Sequence, residues 1–405
     1  MAIHHRHREQ RDDGPGEPGV ELLPDEPILA TRATTAFDNP GEREGIHDKP
    51  PMVQFGRRLA TTCFGMWTHF SAKAAKSMNW IPRVEPYVGY GTDEFSRLIC
   101  RTTYAPQGQS VRPVRAGIRQ AFMVPAGHTR VRIGIDGVPV LTVQVGDSEV
   151  FDMRDKSRER DSAFTFSDSQ GYLDLLIEGS LPPGMHDVAY TVENRRPVHS
   201  QLFTIPSDSP IGVISDVDDT IMVTDVPRLW NAVVNMLFRS PFHRRVVKGM
   251  PAFYQQLRVM LPDAPFFYLS TSPWNVESSI RHLIRSNGYP QGPLLLRDFD
   301  PRPKTFVPSG VQHKLEFAEQ LMSDFPKMRF IMIGDDGQSD PKTYMRIVEQ
   351  YPGRVAAIGI RQVAKNPQKH PIMTIGEVPV FHGKDGEALQ HEMMPFVERL
   401  VADAQ

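Results

Sequence analysis

Asp216-Val217-Asp218-Asp219-Thr220 follows the apolar run IGVIS directly. Carboxylates at the end of a buried strand cannot join the core; they must be solvated, paired or metal-bound. A carboxylate that attacks phosphorus needs a cation nearby, because it approaches an anion. A second one two residues on can protonate the leaving oxygen and later activate water. Asp216 is therefore a candidate nucleophile and Asp218 a candidate acid/base, with an acidic loop capping a helix as the plainer alternative. FFYLS ends on Ser270, before Thr271-Ser272-Pro273-Trp274. Ser272 suits a helix cap and Pro273 the first helical position, so free amides there would face an anion, with Ser270 or Thr271 adding a hydroxyl. Lys314 is expected in the first turn of the helix QHKLEFAEQLM, whose Leu315, Ala318 and Leu321/Met322 form the buried stripe. A cation there opposes the helix dipole, so a phosphate or a carboxylate cluster would explain it better than stability does; a solvated lysine is the plain alternative. RFIMIG leads into Asp335-Asp336-Gly337-Gln338-Ser339-Asp340. Such oxygen ligands hold Mg²⁺, although Asp340-Pro341 also reads as an N-cap followed by proline at N1.

What must position these residues is a set of short apolar strands, IGVIS, FFYLS, PLLLR, RFIMIG and VAAIGI, separated by helical segments. Unalternating strands between helices imply a parallel sheet buried on both faces, which gathers ligands at the carboxyl ends of its strands. Upstream the pattern is all-β. RVRIGI and VPVLTVQV flank Asp136-Gly137, a two-residue hairpin signal, and YLDLLI and HDVAYTV flank a turn at Leu181-Pro182-Pro183-Gly184. The expected organisation is a disordered tail over 1–52, an amphipathic helical connector over 53–83, a β-sandwich-like domain over 84–205, an α/β domain over 206–385 opening on the linker PSDSP, and a C-terminal helix over 386–405. In the connector, Leu59, Cys63, Trp67, Phe70, Ala74 and Met78 recur at helical spacing. Docking on the following domain is the favoured reading of that stripe, and a membrane interface the other. Seven prolines between Pro15 and Pro51 mark the tail, where His4, His5 and His7 read as solvated rather than metal-binding.

Composition bounds the function. With 405 residues, 46 Lys+Arg against 48 Asp+Glu and a net charge of −2, a general nucleic-acid binder is disfavoured. Two cysteines, Cys63 and Cys100, exclude a disulfide framework and point to a reducing compartment. The opening MAIHHRHREQ lacks the apolar core of a secretory signal, and no apolar run is long enough to span a bilayer. A cytoplasmic protein, with peripheral membrane contact left open, is expected.

The strand-end residues resemble the four motifs of the haloacid dehalogenase-like (HAD) phosphohydrolases. More closely, DVDDTI, Ser270-Thr271-Ser272-Pro273-Trp274, His313-Lys314 and FIMIGDDGQSDPKTY resemble the actin-patch-protein-type phosphatidate phosphatase family, over about residues 205–365. The resemblance implies a HAD-like, Rossmann-like parallel sheet and Mg²⁺-dependent hydrolysis of phosphatidate to diacylglycerol and phosphate through an aspartyl phosphate. It implies Asp216 as nucleophile, Asp218 as acid/base, and Ser270 and Lys314 on the phosphoryl oxygens, with Thr220, Thr271 and His313 beside the substrate. The metal would take Asp216, the main-chain carbonyl of Asp218 and Asp335, with Asp340 or Asp336 close by. The second acid, Asp218, disfavours carbon–halogen hydrolysis. The family's Pro-rich partner-binding segments are not recognisable, so protein partners stay unknown.

A lipid substrate has some support of its own. Leu229, Trp230, Val233, Val234, Met236, Leu237 and Phe238 form an apolar helix pattern, followed by Arg239, His243, Arg244, Arg245 and Lys248. An apolar wedge with a basic rim suits an anionic phospholipid surface, and Trp230, Arg244 and Arg245 are candidate lipid contacts; packing on the sheet is the alternative. Two rivals remain: the same chemistry on a soluble phosphomonoester, and a membrane-docking scaffold with a vestigial site.

Overall fold

The computed structural model describes residues 70–107, 124–126, 129–145, 165–167, 171–193, 195–223, 245–297, 310–337, 340–363 and 371–403. Ten strands occupy its first half: β1 (Ile81–Pro86), β2 (Gly89–Gly91), β3 (Phe95–Ala105), β4 (Val124–Pro125), β5 (Thr129–Ile135), β6 (Val138–Val145), β7 (Thr165–Ser167), β8 (Tyr172–Glu178), β9 (Gly184–Val192) and β10 (Val198–Thr204). Alternation builds them. In β5, Val131, Ile133 and Ile135 turn inward and Arg130 and Arg132 outward, the period-two pattern of a half-buried strand. Asp136 and Gly137 both take positive φ, 50° and 82°, as the two-residue turn into β6 requires.

Where the sequence pattern anticipates two stacked sheets, hydrogen bonding runs through one strand order, β6-β5-β9-β10-β2-β3-β8-β7, with β1 and β4 also on β3. β6 and β7, at opposite ends of that order, come alongside each other. The sheet therefore curls around one core that includes Leu98, Cys100, Ile133, Leu173, Val188 and Tyr190. The turn at 181–184 does not make a hairpin: β8 pairs with β3, and β9 with β5 and β10.

The second half is a parallel sheet of β11 (Ile211–Asp216), β12 (Phe266–Pro273), β13 (Leu294–Arg297), β14 (Arg329–Asp335), β15 (Val355–Arg361) and β17 (Val378–Gly383), with β16 (Thr374–Ile375) antiparallel at its edge. The order β13-β12-β11-β14-β15-β17 reverses direction between β11 and β14, as a doubly wound sheet does. Every residue of β11 is buried, which explains why its apolar residues do not alternate. Val213, Ile331 and Ile333 face one layer, with helices α1 (Met250–Met260), α2 (Glu277–Ser286) and α5 (Gly386–Ala402). Ile214, Phe330 and Met332 face the other, with α3 (Gly310–Asp324) and α4 (Asp340–Gln350). Each large side chain buried in these layers contributes about 1.5–3 kcal/mol.

The two halves share their cores. Tyr87 and Ile99 pack in the α1/α2/α5 layer, and Tyr90 and Ile205 in the α3/α4 layer. The segment 206–210, expected as a linker, is held in place: the Ser207 amide donates to Asp93 and the Arg329 amide to the Pro210 carbonyl. Before β1, residues 70–77 are helical. The buried side there is not the expected stripe. Phe70 and Met78 are 59% and 56% exposed, while Ala75 is fully buried. The tail 1–52 and the connector residues 53–69 lie outside the described residues, as does the apolar helix pattern of 229–238, and the connector's last residues, 81–83, already belong to β1.

Candidate active site

Asp216 and Asp335 are the last residues of β11 and β14, the adjacent strands between which the sheet order reverses. Parallel pairing puts both at the same edge, and α4 begins there with Asp340. One carboxylate oxygen from each of Asp216, Asp335 and Asp340 lies within 4.8 Å of the others, and all three residues are buried. Lys314, in the second turn of α3, puts its Nζ 2.6 Å from Asp216 Oδ1 and also donates to Asp340 Oδ1. Thr220 Oγ1 donates to Asp216 Oδ2 at 2.9 Å. The amides of Asp335 and Gly337 donate to Asp340 Oδ2 and Asp335 Oδ1, at 3.2 and 2.7 Å. Gly334 must lack a side chain, because a Cβ there would collide with the Asp340 carboxylate and the Tyr344 hydroxyl.

Ionised, these three carboxylates face the single ammonium of Lys314, which leaves two negative charges in excess at a buried spot. Burial pushes Asp216 well above the usual carboxylate range, against the pull of Lys314. Burial, with Asp340, raises Asp335 to about 7. Burial also disfavours the Lys314 charge, but Asp216 and Asp340 outweigh it and hold the ammonium's pKa above its ordinary value. An all-oxygen donor set with this charge deficit fits a hard divalent cation.

Asp218 stands on the same loop. Its Oδ2 accepts hydroxyls from Ser270 at 2.6 Å and Ser272 at 3.1 Å. The loop behind it is pinned from two sides: Arg361 Nη1 donates to the carbonyl of Asp219, which has φ 60°, and Tyr289 donates to the carbonyl of Ile221.

Several sequence expectations change here. The helix does not start at Ser272-Pro273. Strand β12 continues through Pro273, a 3₁₀ turn covers Trp274–Val276, and α2 begins at Glu277, with no side-chain cap from Val276. Pairing of Pro273 with Arg297 keeps the chain extended, past a register shift, so α2 does not open its amides at Ser272. Ser270 donates to Asp218 and Thr220 to Asp216, which places both hydroxyls beside the carboxylates where substrate was expected. Asp336 accepts from the Val363 amide, and it is Asp340 that joins the cluster. Thr271 is half-buried, and Arg245 is exposed. Trp230 and Arg244 lie outside the described residues, as does the side chain of His313. Sequence reading missed the second role of Ser272, whose signal was available: in an extended strand Ser270 and Ser272 share a face. It also missed Arg361, the charged residue closing the run VAAIGI, and Tyr289, which no sequence signal marks.

Residues 211–362 match the family model described as Phosphatidate phosphatase APP1, catalytic domain. Phosphatidate phosphatase APP1 of Saccharomyces cerevisiae is 31% identical over 220 residues, which cover 52% of this chain and 37% of that protein. An uncharacterized protein of Schizosaccharomyces pombe is 22% identical over 154 residues, covering 38% of this chain and 25% of its own length. The chain thus spans little more than a third of the first relative and a quarter of the second. A solved purple acid phosphatase from yellow lupin (Lupinus luteus) aligns at 10% identity over 69% of this chain and 57% of its own, with a TM-score of 0.28, too slight a likeness to bear on fold or chemistry. The matched segment is App1-like.

Proposed function

We propose, with an App1-like segment at residues 211–362 as the premise, that this chain is a HAD-type phosphatase acting on phosphatidate at an anionic membrane surface, on the cytoplasmic side. The observation that carries the reading is the buried meeting of Asp216, Asp335 and Asp340 around Lys314, beside an Asp218 held by two serines. Asp216, Asp335, Asp340 and the main-chain carbonyl of Asp218 would hold Mg²⁺. When bound, the ion supplies the positive charge that the carboxylates lack and that a phosphate dianion needs to accept a nucleophile.

The side chains divide the work. Thr220 and Lys314 fix the two oxygens of Asp216, so the carboxylate is oriented before it attacks phosphorus in line. As the phosphorus–oxygen bond to diacylglycerol breaks, the Asp218 proton passes to the leaving alkoxide, and Asp216 is left as an acyl phosphate. Asp218, now a carboxylate, takes a proton from water as that water attacks phosphorus; the bond to Asp216 breaks, and inorganic phosphate leaves. Such general acid–base transfer contributes typically 10²–10⁴-fold.

The test is phosphate release from phosphatidate vesicles and from p-nitrophenyl phosphate, with Mg²⁺ or with EDTA. Mg²⁺-dependent release that favours the vesicles, and its loss in Asp216→Asn, is the expected outcome. Retained turnover in Asp216→Asn would refute the nucleophile. Equal rates on both substrates would favour a soluble phosphomonoester, and no release from either a docking protein with a vestigial site.

A further inference from the structure

The β-rich half has no part in the chemistry described so far, yet it reaches the strand end that holds Asp218. Tyr87, between β1 and β2, stacks on Trp274, with ring centroids 4.6 Å apart and planes 29° from parallel. Both rings are buried. Trp274 follows directly on Ser270–Pro273, whose two serine hydroxyls meet on Asp218 Oδ2. Tyr87 is itself fixed from behind: its amide donates to the Ile99 carbonyl, and its carbonyl accepts from Ser200 Oγ at 2.7 Å.

A second tyrosine grips the same strand from its other end. Tyr90 meets Phe267 edge-on at 5.9 Å, and its hydroxyl donates to Asp324. Strand β12 is therefore held near its start by Tyr90, in one layer, and just past its end by Tyr87, in the other. Charges from the two halves also act on each other. Glu85 lies opposite Arg101 in the β1–β3 register, and Glu277, which opens α2, pairs with Arg281 and acts on Glu85.

We propose that the β-rich half is part of the catalytic apparatus: Tyr87 is a positioning residue that, through Trp274, sets the Ser270–Ser272 strand end and so the orientation of Asp218. The inference rests on the reading of Asp218 as the acid that protonates the leaving group. Extended backbone from Ser270 to Pro273 passes a register shift against β13, so local pairing alone does not fix it. The aromatic stack supplies a hold from outside the sheet.

A misplaced acid has a signature that lost folding does not share. Protonation matters greatly for an alkoxide leaving group such as diacylglycerol and little for p-nitrophenolate. The value of kcat/KM reports steps up to formation of the acyl phosphate, so it isolates this event. The experiment measures kcat/KM on phosphatidate and on p-nitrophenyl phosphate for the full chain and for Asp218→Asn, Tyr87→Ala, Tyr87→Leu and Tyr87→Phe, with Leu98→Ala in the β core as a stability control. Tyr87→Ala and Tyr87→Leu should lower the phosphatidate value about 10- to 100-fold, less than the roughly 10²–10⁴-fold that general acid–base transfer supplies because the acid is misplaced and not removed, and the p-nitrophenyl value no more than about 3-fold. Tyr87→Phe keeps the ring and should restore the wild-type ratio, and Leu98→Ala should change both values together. Tyr87→Leu retains apolar volume and decides the matter if the alanine variant does not fold. If Asp218→Asn shifts the ratio while the Tyr87 variants lower both substrates equally or neither, positioning by the β-rich half is overturned and the acid/base reading stands. If Asp218→Asn does not shift the ratio, the acid assignment fails and takes the inference with it.

Discussion

Lys314→Met is the most demanding perturbation of the candidate site. The change keeps much of the side chain's length and apolar stem and deletes the ammonium that pairs with Asp216 and Asp340. All three groups are almost fully buried, so water cannot take over the lost charge. Breaking a buried pair by removing one partner costs about 3–5 kcal/mol, because the stranded charge remains. At about 2–4 °C per kcal/mol for a domain of this size, the unfolding midpoint in EDTA should fall by roughly 6–20 °C. Magnesium should then stabilise the variant more than it stabilises the wild type, since with lysine absent the cluster has a larger charge deficit for the ion to fill. Thermal unfolding followed by circular dichroism, for both proteins in EDTA and in a Mg²⁺ series, reads both effects. A variant as stable as wild type in EDTA would mean that the carboxylates are not jointly compensated by Lys314, and a Mg²⁺ shift no larger than that of the wild type would mean that they do not share a cation.

Burial raises the Glu85 carboxyl from 4.5 to about 6, against the pull of Arg101. A raised acid favours the folded state while protonated, so this contribution is full below pH 4.5 and is lost as pH rises through 6, by at most about 2 kcal/mol. Glu85→Gln should therefore gain stability over wild type from pH 4.5 to 7.5 in urea titrations; a gap that narrows with rising pH would contradict the cause assigned to the shift. Gly334→Ala places a methyl against the Asp340 carboxylate and the Tyr344 hydroxyl and should weaken Mg²⁺ binding by about 10-fold or more in calorimetry. Unchanged affinity would remove Asp340 from the metal site.

The parallel strands were legible because each is a short apolar run buried on both faces, and IGVIS, FFYLS, PLLLR, RFIMIG and VAAIGI all became strands of one sheet. Once that is granted, the site follows from asking what stands past each strand, since parallel strands bring their carboxyl ends to one edge. Asp216, Asp335, Asp340 and Lys314 were found in this way although up to 124 residues separate them along the chain. Strands β16 and β17 were not anticipated, because a two-residue strand and VPVFHG, broken by proline, carry no comparable apolar run. The cap at Ser272-Pro273 failed for a different reason. Its local preference is sound, but strand pairing at Pro273↔Arg297 outweighs it, as tertiary context outweighs local propensity elsewhere.

The residues left unread share one property: they hold the reacting groups from behind. Tyr289 and Arg361 take main-chain carbonyls of the loop after β11. Tyr87 acts through Trp274, and Ser272 through Asp218. A tyrosine next to apolar residues reads as core in any sequence, and here Tyr87, Tyr90 and Tyr289 are indeed core by burial. What separates them from ordinary packing is which atom lies on the far side of the contact, and that partner is set by the docking of two halves whose interface no periodicity records. The groups that perform the proposed chemistry are polar where polarity is costly and so stand out along the chain. The groups that aim them gain stability by being buried, and only coordinates tell the two apart.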